Sequence, residues 1–184
     1  MSSSFFLMVS LLLISCPALS QISLKHENSS VFKGTVISDA EHYGLINVEV
    51  DNDQSFTIVS DGKVLGAIIQ GKGWLRETQP VCFIGWSGEN KKIDKFIPTI
   101  GQGDWETVGC HKIESVGLIS KKDDENARVA IIYTVELSGR FGTDYYILSI
   151  NKFNGRLQYD EETTKSFQNS YLRNIQALRK AYQN

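Results

Sequence analysis

Residues 145–159 read YYILSINKFNGRLQY, two runs of β-type residues on either side of Asn154-Gly155. Tyr, Ile and Leu favour the pleated, half-buried surface of a sheet. Asn-Gly tolerates the positive φ that a tight primed turn requires, so the two runs are expected to fold back on one another as an antiparallel hairpin. The same reading applies upstream, where Asp61-Gly62 separates SFTIVS (55–60) from KVLGAI (63–68). Two hairpins with this chemistry set the period of the chain at two residues.

Working outward, further β-type runs stand at 32–38, 45–50, 81–86, 115–120 and 128–137, separated by Gly, Asn and Asp. In Asn47-Val48-Glu49-Val50-Asp51 the alternation turns Val48 and Val50 toward a core. Ala130-Ile131-Ile132-Tyr133 is continuously apolar and fits a central strand covered on both faces. Short strands at this spacing predict a mainly β fold of antiparallel sheets, as a sandwich, a barrel or a small propeller-like array. The period changes near the end. Phe167, Tyr171, Leu172, Ile175, Leu178 and Tyr182 recur at three and four residues, which predicts one amphipathic C-terminal helix over about 163–182, its apolar stripe packed on the sheet.

The chain has 184 residues, yet none of its 19 Lys plus Arg or 21 Asp plus Glu falls in the first 20. Residues 5–14, FFLMVSLLLI, would make about 15 Å of helix, roughly half a bilayer core. Ala18-Leu19-Ser20 follows with the small-x-small pattern of a signal-peptide cleavage site, so residues 1–20 are expected to be a leader and 21–184 a single domain. Leu13-Ile14-Ser15-Cys16 also resembles a lipobox, which makes Cys16 a candidate for acylation. No second apolar segment of spanning length follows. A hydrophobic content of 41%, a charged content of 22%, a net charge of −2 and a pI near 5.9 are those of an ordinary globular domain. They do not supply the clustered basic surface that a nucleic acid requires.

Removal of the leader leaves Cys82 and Cys110. In an exported domain they are expected to pair. The alternatives are two buried thiols, or a reactive Cys110 beside His111. Adjacent residues on a strand point to opposite faces, which disfavours the last. Other constellations are incomplete. Asp51-Asn52-Asp53-Gln54-Ser55 opens like a calcium loop, but Phe56 stands where the sharp turn needs Gly, and Gly62 where a bidentate Glu belongs, so a solvated hairpin turn is the expectation. Gly85-Trp86-Ser87-Gly88 has Glu89 where a nucleophile elbow needs its second Gly. His26, His42 and His111 have no ligand partner at helical spacing, so neither metal nor cofactor is expected. Asn28-Ser29-Ser30 matches a glycosylation acceptor.

What remains lies between the cysteines, where Trp86 and Glu89, then Asp104, Trp105 and Glu106, combine indoles and carboxylates in Gly-rich loops. These are residue types that protein interfaces use as anchors, and they are the expected partner-binding set. Of Trp74, Trp86 and Trp105, at least one is expected at the surface.

The uncharged leader ending ALS, the Cys82 and Cys110 pair, the DYYILSINKFNGRLQYDEE hairpin and the closing helix together resemble the plan of periplasmic immunity proteins that neutralise type VI secretion effectors. That resemblance implies an exported β-rich protein, periplasmic or otherwise secreted, that binds one toxin or enzyme and occludes its active site without being an enzyme itself. The alternative expectation is an envelope or extracellular ligand-binding module, with or without a lipid anchor.

Overall fold

Asp61 and Gly62 both take positive φ, +49° and +81°, and this turn joins β2 (Leu45–Ser60) to β3 (Lys63–Leu75). The computed structural model describes residues 21–88 and 90–184. Among them, β1 (Ile22–His26), β2, β3, β4 (Gln79–Ser87) and β5 (Ile93–Pro98) form one antiparallel sheet in sequence order. A second sheet follows the same meander through β6 (Gly109–Leu118), β7 (Asn126–Leu137), β8 (Arg140–Asn151) and β9 (Leu157–Tyr159). The Asn154-Gly155 turn closes β8 on β9, with Gly155 at φ +68°.

The two sheets share one core. Cys82, Ile84 and Trp86 alternate inward along β4, while Val129, Ile131 and Tyr133 do so along β7 and Tyr146, Leu148 and Ile150 along β8. The intervening residues face outward and are covered as well. Helix α1 (Lys33–His42), with Phe32 just before it, lays Phe32, Val36 and Ala40 over Ala67, Ile69, Val81 and Phe83. On the opposite side α2 (Glu161–Phe167) and α3 (Ile175–Gln183) lay Phe167 and Leu178 over Ala130, Ile132, Tyr145 and Ile147. The order of layers is therefore helix, sheet, sheet, helix, and neither sheet closes into a barrel. Gly66 has no room for a side chain, since a Cβ there would stand 2.4 Å from the Trp86 ring.

The disulfide between Cys82 on β4 and Cys110 on β6 ties the sheets together. Beside it a polar chain crosses the core. The Thr99 hydroxyl bridges the Cys82 carbonyl at 3.0 Å and the Tyr133 hydroxyl at 3.1 Å, and Tyr133 reaches Gln70 Oε1 at 3.5 Å. Burial pushes the Tyr133 hydroxyl well above the ordinary tyrosine range, so it stays protonated as a donor.

Several expectations need correction. Residues 32–38 are not a strand. Phe32, Val36 and Ala40 recur every fourth residue, and covering the outer face of the first sheet outweighs the local β preference of Val and Ile. Residues 45–60 form one strand, and Asp51-Asn52-Asp53 make a bulge within it rather than a hairpin turn. Asp51 Oδ1 accepts from Gln54 N–H, and the Ser55 hydroxyl donates to the Asp51 carbonyl, which satisfies the bulge internally. The single helix over 163–182 is instead α2 and α3. Asn169 and Tyr171 take positive φ between them, and Asn174 caps α3 by accepting from Ala177 N–H at 2.8 Å. The described residues also contain β1 and β5, which the β-run reading passed over.

Arg128 fastens the outer layer of the second sheet. Its Nε lies 2.7 Å from Asp160 Oδ2, and its guanidinium sits over the Tyr182 ring at 5.3 Å. Asp160 also caps α2 through Thr163 N–H. Burial alone would raise the Asp160 carboxyl, but the hydrogen bonds from Thr163 and Arg128 outweigh it and hold the pKa below the usual carboxylate range. A depressed carboxylate contributes stability above its unfolded pKa of about 3.9 and loses it as pH falls through the folded value.

Two predictions follow from this fastening. Reduction, or Cys82→Ala with Cys110→Ala, will destabilise the domain by about 3.6 kcal/mol on the chain-entropy estimate, read as a lower melting temperature. Unchanged melting after complete reduction would exclude a structural role for the bond. Arg128→Met will cost about 2 kcal/mol at neutral pH, the worth of a charge-assisted hydrogen bond. In denaturant titrations that deficit will shrink as pH falls from about 4 through the depressed folded pKa of Asp160, below which the carboxyl is protonated in both proteins.

Candidate functional site

The loop expected to meet a partner folds inward. A 3-10 turn at Gly103–Trp105 swings Trp105 onto the second sheet, where its Nε1 donates to Asp144 Oδ2 at 2.8 Å. The ring packs 5.5 Å from Tyr146 and 6.1 Å from Tyr159, and those two tyrosines stack at 4.4 Å. From the other side Gln79 Nε2 donates to the Val108 carbonyl at 3.0 Å. Burial raises the Asp144 carboxyl, and the hydrogen bonds from Tyr145 N–H and the Trp105 indole only partly offset it. Trp105 is 7% exposed and Trp86 is 5% exposed, so both indoles belong to the core and neither is offered to a partner. Asp104 and Glu106 are exposed. Glu89 and Cys16 lie outside the described residues. The surface tryptophan is Trp74, near the end of β3.

A different face carries exposed aromatics. Tyr171 sits between α2 and α3 at φ +56° and is 78% exposed. Both of its neighbours are tied inward by one side chain, because Tyr145 donates its hydroxyl to the Leu172 carbonyl at 3.0 Å and accepts from the Ser170 hydroxyl at 3.2 Å. Leu172 also packs into the core beneath α3. With residues 170 and 172 held against Tyr145, the residue between them is turned outward, and the left-handed conformation is the cost of that placement.

Facing Tyr171, Phe141 opens β8 and is 62% exposed, with its ring 4.7 Å from that of His111. The two aromatics flank a cleft of about 560 Å³ whose walls include Glu114, Ile132, Thr134 and Arg173. Glu114 is already engaged, accepting from the Thr134 hydroxyl at 2.6 Å and from Lys112 Nζ at 3.1 Å. Those two hydrogen bonds, Thr134 first, hold its carboxyl below the usual range. Arg173 makes no ion pair among the described residues. Lys112 and His111 continue on β6 into a second cleft of about 420 Å³ beside the β2 bulge.

Tyr171 lay hidden in the sequence within an apparent helical stripe. The signal that could have exposed it is Asn169-Ser170 followed by Asn174, residues that break or cap a helix rather than continue it. Ser87 is buried on β4 and donates to the Gly88 carbonyl, so it is no nucleophile elbow. Among the described residues no group of three or more His, Cys, Asp or Glu gathers as a metal set. None of their helices is long and apolar enough to cross a membrane. Comparison with protein-family models, curated proteins and solved structures found no match to this chain.

Two neighbouring residues of the 103–106 loop predict opposite mutational behaviour. Trp105→Ala will lower folding stability by about 3–5 kcal/mol, because it empties a packed site and leaves Asp144 Oδ2 without its donor. Asp104→Lys on the neighbouring exposed residue will move stability by less than about 0.5 kcal/mol. Chemical denaturation of the two variants separates a core role for this loop from a surface one.

Proposed function

We propose that this chain is an exported, single-disulfide binding protein that neutralises a secreted protein partner by occluding it, as an immunity-type inhibitor does. The docking face is the one carrying Phe141, Tyr171 and Arg173. The observation that carries this reading is the strained, solvent-facing Tyr171, held between two inward anchors beside an equally exposed Phe141. The strained backbone lets Ser170 and Leu172 tie inward, but the exposed Tyr171 ring itself gains no packing from it. A binding role supplies the compensation, since a pre-ordered tyrosine loses little entropy on docking. Tyr and Arg are also the side chains in which interface energy concentrates.

The chemistry of the face selects the partner segment. Lys112 and Thr134 satisfy Glu114, while Arg173 remains to meet a carboxylate between the two rings. A protruding loop with an apolar side chain beside an Asp or Glu fits such a cleft. The disulfide between Cys82 and Cys110 accords with work in an oxidising compartment, for which the periplasm is the proposed site.

The test takes as partner a secreted hydrolase, where a gene neighbouring this one encodes it. The domain will bind that protein and inhibit it, and Phe141→Ala or Tyr171→Ala will each weaken the complex about 30-fold or more. Tyr171→Gly will bind equally poorly yet fold at least as stably, because the left-handed conformation costs a residue with a Cβ about 1 kcal/mol. Full affinity in all three variants would remove this face as the contact surface. Absence of any inhibition by the unmodified domain would overturn the function.

A further inference from the structure

We propose that the mature chain begins at Gln21 and that the ammonium created there pairs with Asp61, so that removal of the leader turns an existing hydrogen bond at the edge of the first sheet into a charge-assisted one. This rests on the export reading above. The Gln21 nitrogen donates to Asp61 Oδ1 at 2.8 Å, and the Gln21 carbonyl accepts from Asp61 N–H at 3.1 Å. These bonds carry the pairing of β1 on β2 one residue past Ile22 and Ser60, onto the turn that starts β3. In the uncut chain this nitrogen is a neutral amide with a single proton. Hydrolysis of the peptide bond before it leaves the same atom as an ammonium with three donors, and the contact becomes charge-assisted.

The surroundings make that carboxylate matter. Gln21 borders a cleft of about 450 Å³ that Lys121, Lys122 and Arg179 also line. Nearby positive charge drives an ammonium toward its neutral amine, whereas a carboxylate in direct contact holds the proton on. An α-amino group ordinarily titrates at about pH 8, so such biases decide how much neutral amine is present near neutrality. For an N-terminal glutamine the neutral form has a chemical fate. Its nitrogen attacks the side-chain amide carbon, a C–N bond closes a five-membered lactam, and ammonia leaves. The lactam nitrogen carries no charge and one proton, so its contact with Asp61 would lose the charge assistance. Asp61 therefore both anchors the mature N-terminus and protects it from cyclisation.

The experiment is intact-mass spectrometry of the protein expressed with its leader in an exporting host, followed during storage at neutral pH for the unmodified chain and for Asp61→Asn. Asparagine tolerates the positive φ at this position, so the variant keeps the turn, and circular dichroism checks that it folds. The expected species is residues 21–184 with its disulfide intact, and loss of one ammonia is expected about two- to fivefold faster in the variant, the range an exposed ion pair supplies. Equal cyclisation rates would overturn the ion pair. An exported chain with another N-terminus, an acylated Cys16 included, would overturn the processing site while leaving export standing. An uncut chain confined to the cytosol would overturn the export reading and this proposal together.

Discussion

The contact between the inner faces of the two sheets is the constraint that the rest of the structure obeys. Cys82, Ile84 and Trp86 from one sheet meet Ile131, Tyr133, Tyr146 and Leu148 from the other, and the Cys82–Cys110 bond fastens the layers at one side. Side chains alternate along a strand, so a sheet that buries one face this way presents a second face that must also be managed. Here the second faces are apolar too, with Ala67, Ile69, Val81 and Phe83 on one sheet and Ala130, Ile132, Tyr145 and Ile147 on the other. The three helices exist in order to cover them. None has to be stable alone, because short helices draw their stability from the surface they cover.

The same demand explains the exposed aromatics. A continuous helix over the last twenty or so residues would have carried Tyr171 on its apolar stripe. The second sheet instead takes two short helices, and Tyr145 at its outer face binds both Ser170 and Leu172 in the gap between them. The break that fits the helices to the sheet is thus the event that turns Tyr171 to solvent. Packing and presentation therefore share one cause.

Polar groups follow a related economy. The 101–106 loop is polar in composition, yet Trp105 crosses to Asp144 and plugs the space over Tyr146 and Tyr159. Deeper in, Thr99, Tyr133 and Gln70 form a polar chain across the core, and Gln70 Nε2 has no hydrogen-bond partner among the described residues. A buried polar chain of this kind stabilises little in net terms, but it penalises any register that would separate its members.

Much of the β architecture was legible because its causes are local. Asp61-Gly62 and Asn154-Gly155 dictate tight turns, the Val, Ile and Tyr runs around them dictate strands, and two cysteines in one domain allow only one pairing. The helix over 33–42 was not legible in that way, since Val36 and Ala40 gain nothing until a sheet lies beneath them. The partner-binding residues expected from composition fared similarly. An indole suits a core and an interface equally well, and only the position of Asp144 and its neighbouring rings sends Trp105 inward. Tyr171 shows the converse, an apolar-stripe residue that the tertiary structure turns out. Sequence by itself determined period and turns, because these depend on neighbouring residues, and it made the disulfide an expectation. The tertiary structure decided which side of each strand and which aromatic meets water, because burial belongs to surfaces that meet only after the chain has folded.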